Sequence, residues 1–302
     1  MVAVCFMAQL CAMPASAQDS VQEQSEEPSP WTLGVALGHG KRINPFVGSD
    51  DTRLNAVLDL AWYGERFFFD NGDFGFTLSD SDQLSVSALL VFNNERNYYS
   101  SLNNGSSGLD IFNLKRLAQD KGIGLPGIAG GDDLDLDSLS TAELEKIVFK
   151  DIDSSLPQRD FAASSGLEFL YSNAWGDWQG QILSDVSAVH SGQSAWVAYS
   201  YPWYTRSSEF KLSMGLEFKS AQLVDYYYGV RPSERLEGRP TYSAGSGTNR
   251  VVRLSATHKL SERWRLVGVM EREYLGAAIR KSPIIERGTV DTIFVGIYYQ
   301  FK

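Results

Sequence analysis

Long hydrophobic runs are missing from this chain: no uninterrupted apolar stretch approaches the roughly 18 residues a membrane helix requires. A helical membrane protein is thereby excluded, which leaves a soluble fold or a closed barrel. Cysteine is almost absent: Cys5 and Cys11 are the only two among 302 residues, and both precede Gln18. If the amino-terminal segment is removed, disulfides, cysteine catalysis and thiolate metal sites go with it. Histidine is limited to His39, His190 and His258, so a hydrolase would have very few bases to choose from. Positive charge is also short, with 27 Lys and Arg against 37 Asp and Glu and a net charge of -10. A surface of that sign is unsuited to nucleic acid, and no nucleic-acid partner is expected.

What the chain has is alternation. From Glu209 to Lys219 apolar and polar residues follow one another without an error, placing Phe210, Leu212, Met214, Leu216 and Phe218 on one face of a strand. Glu209, Lys211, Ser213, Gly215, Glu217 and Lys219 take the other face. Soluble strands run about 5 to 6 residues, whereas a membrane-crossing strand needs roughly 9 to 11. The pattern is long enough to cross.

The same period recurs along the chain. Trp31 to Gly38, Leu54 to Tyr63, Leu84 to Phe92, Phe161 to Ser172, Trp178 to His190 and Ala195 to Trp203 read as strands, as do Arg250 to Leu260, Arg263 to Leu275 and Val290 to Lys302. Phe67 to Phe69 and Phe74 to Leu78 flank Asn71-Gly72, the strongest short hairpin signal because both residues tolerate positive φ. Counting that hairpin gives an all-β, antiparallel, up-and-down transmembrane barrel of about twelve strands; leaving it out of the wall gives about ten. Long connections at 39–53, 93–160, 219–249 and 276–289 then share one end, and short turns the other, as in outer-membrane barrels with both termini periplasmic. Trp31, Trp62, Trp178, Trp203, Trp264 and Tyr299 near strand ends suit interfacial girdles, or else an ordinary aromatic core.

Residues 1–17 read as a secretory signal peptide, with an apolar Val2 to Met13 and an Ala15-Ser16-Ala17 cleavage pattern. Residues 18–30 form an acidic, disordered leader, and 31–302 the barrel. In the 93–160 insertion, Ser140-Thr141-Ala142-Glu143 is a capping box that starts a short loop helix through Phe149. Asp133, Asp135 and Asp137 occupy the first positions of a calcium loop, but Ser138 replaces the turn glycine and Leu144 the bidentate Glu, so the match fails. No cofactor or metal is expected. Ser191 beside His190 is a neighbour in sequence only, and His258 shares a face with Leu254 and Ala256; no enzymatic activity is expected. Inward polar positions include Asn55, Asp59, Glu168, Gln179, Gln181, Asp185, Glu209, Lys211, Glu217, Arg253, Lys259, Arg265 and Glu271, either an ion-paired filling or a narrow polar channel.

Five fragments in order carry a resemblance: Trp31-Thr32-Leu33-Gly34-Val35, Asn44 to Asp50, Tyr63 to Phe68, Tyr228-Gly229-Val230-Arg231-Pro232-Ser233-Glu234, and Ser282-Pro283-Ile284-Ile285-Glu286. The chain resembles the MipA/OmpV family over nearly the whole segment after the leader. That resemblance implies a barrel of the Gram-negative outer membrane, in contact with lipid and lipopolysaccharide. It also implies a structural or scaffold role beside peptidoglycan hydrolase and synthase enzymes, or alternatively a small-solute channel or a surface-binding, adhesin-like or osmolarity-responsive barrel. Tyr228 to Glu234, with Ser282 and Pro283, is the candidate partner or loop motif, or a loop held rigid by Pro232. Ile297, Tyr299 and Phe301 resemble the carboxy-terminal signal read by barrel-assembly machinery, here followed by Lys302.

Overall fold

The computed structural model describes residues 30–92, 159–235 and 239–301. The segments expected to be a signal peptide and, but for Pro30, an acidic leader, the 93–158 part of the insertion with the helix expected from Ser140, and the acidic run from Asp132 to Asp137 lie outside the described residues.

Twelve antiparallel strands close into a barrel, each bonded to its sequence neighbours and the last to the first. They are β1 (Trp31–Arg42), β2 (Thr52–Tyr63), β3 (Phe67–Asp70), β4 (Asp73–Asp80), β5 (Leu84–Phe92), β6 (Ala163–Asn173), β7 (Gly176–Asp185), β8 (Gln193–Tyr204), β9 (Ser208–Lys219), β10 (Gly247–Lys259), β11 (Trp264–Tyr274) and β12 (Thr289–Gln300). The Asn71-Gly72 hairpin is part of the wall, which decides for twelve strands over ten: β3 pairs with β2 through Trp62 and Phe69, and β4 with β5 through Phe74 and Leu90. Asn71 and Gly72 both take positive φ, 50° and 105°, as a two-residue hairpin turn needs.

Burial is inverted relative to a soluble protein. In β9, Met214, Leu216 and Phe218 are exposed while Lys211 and Lys219 are buried. The outward faces of the other long strands do the same, with Ile182, Val197, Met270, Ile293 and Val295 all exposed. An apolar belt of that extent is incompatible with water on all sides and is matched by hydrocarbon.

Inside, aromatic rings lie flat on glycines of neighbouring strands. The Trp196 ring covers Gly215, Tyr298 covers Gly34, and Phe68 covers Gly75, so closely that a Cβ at any of these glycines would overlap the ring. A second interior contact departs from simple alternation. The β1–β2 register shifts between Leu37 and Gly40, and beyond it Leu54, expected outward, packs with Ala36 and Phe294 while Asn55, expected inward, is exposed. An irregularity of this kind moves side chains to the opposite face.

Two further differences from the sequence expectation have local causes. The strand expected to reach His190 stops at Asp185, whose carboxylate accepts the backbone N–H groups of Ser187, His190 and Ser191 at 2.7 to 2.8 Å and so folds the chain into a loop. The 219–249 connection, expected to be irregular, contains α1 (Ala221–Tyr228). A second short helix, α2 (Ala277–Arg280), lies between β11 and β12.

The ring-on-glycine contacts yield a test. Gly215→Val, which drives a branched side chain into Trp196, is expected to cost about 2 kcal/mol by overpacking. Gly245→Ala, where an added carbon meets nothing within 4 Å, should be silent. Denaturant unfolding in detergent, followed by tryptophan fluorescence, reads both.

Candidate functional site

The largest apolar core of the described residues is at one mouth of the barrel, the end that carries the long connections. Helix α1 builds its centre. Leu223, Val224, Tyr227 and Tyr228 fall at spacings that share one helical face, and all four are buried. Ser220 precedes the helix in extended conformation, and its Oγ accepts the Gln193 N–H, tying the helix start to β8. The helix ends at Gly229, whose N–H bonds to the Asp225 carbonyl.

The other connections at this end close onto that face. Phe46 stacks on Tyr228 with ring centres 5.8 Å apart, and Ile279, Ile284, Ile285 and Val290 complete the core. Backbone bonds lock the pieces together: Val47 N–H to the Ile284 carbonyl at 3.0 Å and Glu286 N–H to the Pro45 carbonyl at 2.8 Å. Buried Ser282 donates its hydroxyl to the Tyr228 carbonyl, and Tyr242 donates to the Ala278 carbonyl at 2.7 Å. Three of the fragments that carry the family resemblance, around Phe46, Tyr228 and Ser282, therefore form one plug.

A second layer is ionic. Arg159, at the far end of the insertion, donates to both oxygens of Glu234 at 2.7 and 3.1 Å and to the Gly229 carbonyl at 3.0 Å. Its guanidinium also lies 5.6 Å from the centre of the Tyr226 ring, opposite in chemistry to the ring face it approaches. Glu234 further accepts the Arg231 backbone N–H at 2.9 Å. Burial works against the Glu234 charge, but the Arg159 hydrogen bond, the Arg231 N–H and the two guanidiniums outweigh it and hold the carboxyl below its ordinary range. On the opposite side of the mouth, Asp51 pairs with Lys41 at 2.6 Å and Arg287 at 3.2 Å. Burial again opposes its charge, and Lys41, the Asn44 N–H and Arg287 together lower it below the usual carboxylate value.

The candidate motif is thus divided by the structure. Tyr228, Gly229, Val230 and Ser282 are buried in the plug, with Pro283 half-buried; Arg231, Pro232 and Ser233 are exposed, and Glu234 is the half-buried ionic anchor between them. The carboxy-terminal residues sit elsewhere, at the opposite rim. Ile297 and Tyr299 are on the outward face of β12, Tyr299 is 4.6 Å from Trp264 between ring centres, and Phe301 bonds through its N–H to the Leu33 carbonyl. Sequence reasoning missed α1 and Arg159. The Tyr226-Tyr227-Tyr228 run favours strand by propensity, and eight residues are too few for helical periodicity to stand out; Arg159 is a lone cation at the end of a long insertion.

The histidines have different neighbours, the Asp185 carboxylate 3.8 Å from His190 and a serine hydroxyl beside His258. His190 is buried against Tyr226 and Tyr227, with its Nδ1 accepting the Gly192 N–H at 2.9 Å. His258 is hydrogen-bonded to Ser208 at 2.8 Å near the rim of short turns, and His39 is exposed on β1. Among the described residues, no group of three His, Cys, Asp or Glu side chains is placed to hold a metal.

In the lumen, Arg253 pairs with Glu271, Asn249 donates to Glu273, and the Tyr298 hydroxyl donates to Asp59 at 2.7 Å. These contacts fill one side of the barrel. Beside Arg253 a cavity of about 330 Å³ remains, lined in part by Tyr63, Asp70, Glu168, Gln181, Trp196 and Arg253 itself.

The ionic layer predicts acid sensitivity. Because Glu234 binds its proton less readily in the fold than in the open chain, the unfolded state takes up more protons as pH falls. The stabilisation is complete above roughly pH 4.3, the ordinary Glu value, and disappears as pH drops through the lowered folded value. Arg159→Ala is expected to cost about 2 kcal/mol at neutral pH, the worth of a hydrogen bond to a charged group. Glu234→Gln should flatten the acid limb of a stability-against-pH series in detergent.

Comparison with known proteins matches this architecture to named relatives. The family model of "MltA-interacting protein MipA" matches residues 33–301. The MltA-interacting protein of Escherichia coli K12 is 24% identical over 173 residues, 55% of this chain and 70% of that protein. The outer membrane protein OmpV of Vibrio cholerae is 24% identical over 87 residues, 29% of this chain and 34% of that protein. Among solved structures, the anion-selective porin from Comamonas acidovorans aligns with 89% of this chain and 98% of its own, at 8% identity and a TM-score of 0.37. A loop-deleted OmpT of Vibrio cholerae aligns with 90% and 100% at 7% identity and a TM-score of 0.34. A closed barrel with a lipid-facing belt, matched by the family model from its first strand to its last, is a β-barrel of the outer membrane, and the chain belongs to the MltA-interacting protein MipA family.

Proposed function

We propose that this barrel is a non-enzymatic structural protein of the envelope that holds a peptidoglycan hydrolase or synthase at the inner face of the outer membrane. The observation that carries the reading is the plug: a core of side chains from three connections occupies the outer mouth, as suits a barrel that anchors rather than one that conducts freely. The printed name of the Escherichia coli relative, MltA-interacting protein, supports a partner of that class. The histidine environments support the non-enzymatic part, since His190 and His258 are each engaged in a local structural bond.

The rim of short turns is the face available to a periplasmic enzyme. Trp175, in the turn between β6 and β7, and Tyr204, the last residue of β8, stand there, 78% and 68% exposed. At the other end, exposed Arg231, Arg235 and Lys281 offer counter-charges to lipopolysaccharide phosphates, and the apolar belt packs against lipid chains.

A second reading, passage of a small solute, is favoured by the lumen cavity, whose lining reaches Tyr63 and Asp80 at the short-turn ends of β2 and β4. Two measurements separate the readings. Affinity capture from envelope extracts is expected to recover a peptidoglycan enzyme with the wild type and less with the Trp175→Ala, Tyr204→Ala double variant; recovery of none defeats the scaffold. Planar bilayers loaded with pure protein are expected to show no steady conductance, and steady channels would favour the solute reading instead.

A further inference from the structure

At the end of the wall that carries the long connections, outward positive charge is gathered in one sector. Strands β2, β1, β12, β11 and β10 are consecutive there. Arg53, Lys41, Arg272 and Arg250 stand exposed on four of them, and Asp291 on the fifth. Register puts them on the same face: Arg53 is opposite Lys41, Arg272 opposite Asp291, and Arg250 opposite the exposed Tyr274. The outward residues nearest the same end of β5, β7, β8 and β9 are Phe92, Ser184, Gln193 and Phe218, none of them charged. Arg53 owes its position to the β1–β2 register shift, because the irregularity that turns Leu54 inward turns its neighbour outward.

The row sits directly above the apolar belt. Two residues toward the barrel middle from Arg250 and Arg272, and two beyond Asp291, are the exposed Val252, Met270 and Ile293. A cation facing hydrocarbon is costly, and the cost falls away only at the level of the lipid headgroups. Two of the four cations already have acids: Lys41 pairs with Asp51 at 2.6 Å, and Arg272 with Asp291 through bonds of 2.5 and 2.9 Å. Arg53 and Arg250, at the two ends of the row, form no ion pair among the described residues. Four strand spacings separate them, about 19 Å.

We propose that this sector is a binding site for a lipid of the lipopolysaccharide type, with several acyl chains on a sugar headgroup that carries a phosphate at each end. One phosphate is received beside Arg53 and Lys41 and the other beside Arg250 and Arg272, in charge-assisted hydrogen bonds from planar guanidiniums. The acyl chains lie along Val252, Met270 and Ile293, which a free phosphate could not use. The span between the terminal arginines suits two phosphates on one headgroup better than a single small one. This site deepens the lipid contact stated above; it rests on the outer-membrane placement and not on the enzyme partner.

The test is native mass spectrometry of the full chain in detergent micelles, titrated with diphosphorylated lipid A, its monophosphorylated form, phosphatidylethanolamine or sodium phosphate at matched ionic strength. The diphosphorylated lipid is expected to bind tightest, the monophosphorylated form more weakly, and sodium phosphate should not displace either. Arg53→Gln with Arg250→Gln should weaken the diphosphorylated lipid about twentyfold, at about fivefold for each cation lost. Arg53→Lys with Arg250→Lys should retain more binding than the glutamine pair. Arg231→Gln with Arg235→Gln, which removes cations above the plug and not on the wall, should leave affinity unchanged. Equal binding of phosphatidylethanolamine, displacement by sodium phosphate, or wild-type affinity in the glutamine wall pair would overturn the proposal. Loss confined to the Arg231 and Arg235 variant would overturn it too, while leaving lipopolysaccharide contact at the plug standing.

Discussion

Everything in this molecule depends on pairing backbone groups where no water can reach them. In hydrocarbon an unpaired N–H or C=O costs several kcal/mol, so a sheet that spans the bilayer must have no edge. The seam between β1 and β12, running from Gly34 opposite Gln300 to Arg42 opposite Thr292, is what removes the edge. Once it is closed, the two faces of every strand acquire separate solvents. Lipid takes Ile293, Val295 and Ile297, and the lumen takes Thr292, Phe294 and Tyr298.

Closure displaces the hydrophobic core from its usual position. The wall cannot supply one, because its apolar side chains already face lipid, and the lumen is filled by ion pairs and rings seated on glycines. The densely packed apolar core is found instead at the mouth that carries the long connections, where α1, the Phe46 loop and the Ser282–Ile285 segment meet. Burial of Tyr227, Tyr228 and Ile279 there stabilises connections that would otherwise be long open loops. The Arg159–Glu234 pair then ties the returning end of the insertion to the same structure.

Much of the wall is legible in sequence because a two-residue period survives any neighbour: Phe210 to Phe218 declares its faces without reference to another strand. Asn71-Gly72 is legible for a different reason, since its turn demands backbone conformations few residues accept. What alternation cannot express is a contact between distant segments. Nothing local says that Phe46 will stack on Tyr228, that Arg159 will find Glu234, or that a register shift will turn Leu54 inward. The family fragments point to the plug as a set of important positions, yet their sequence does not distinguish a buried member such as Val230 from an exposed one such as Ser233. The row of outward cations is likewise a product of register across β1 and β2, invisible until Arg53 stands opposite Lys41.

The most direct check of the central claim is the gel mobility of membrane-extracted protein with and without boiling. A closed lipid-facing barrel keeps its hydrogen-bonded wall in detergent, so the unboiled sample should run as a compact species distinct from the boiled chain. Identical mobility in both lanes, together with a native fold that persists in detergent-free buffer, would contradict the account.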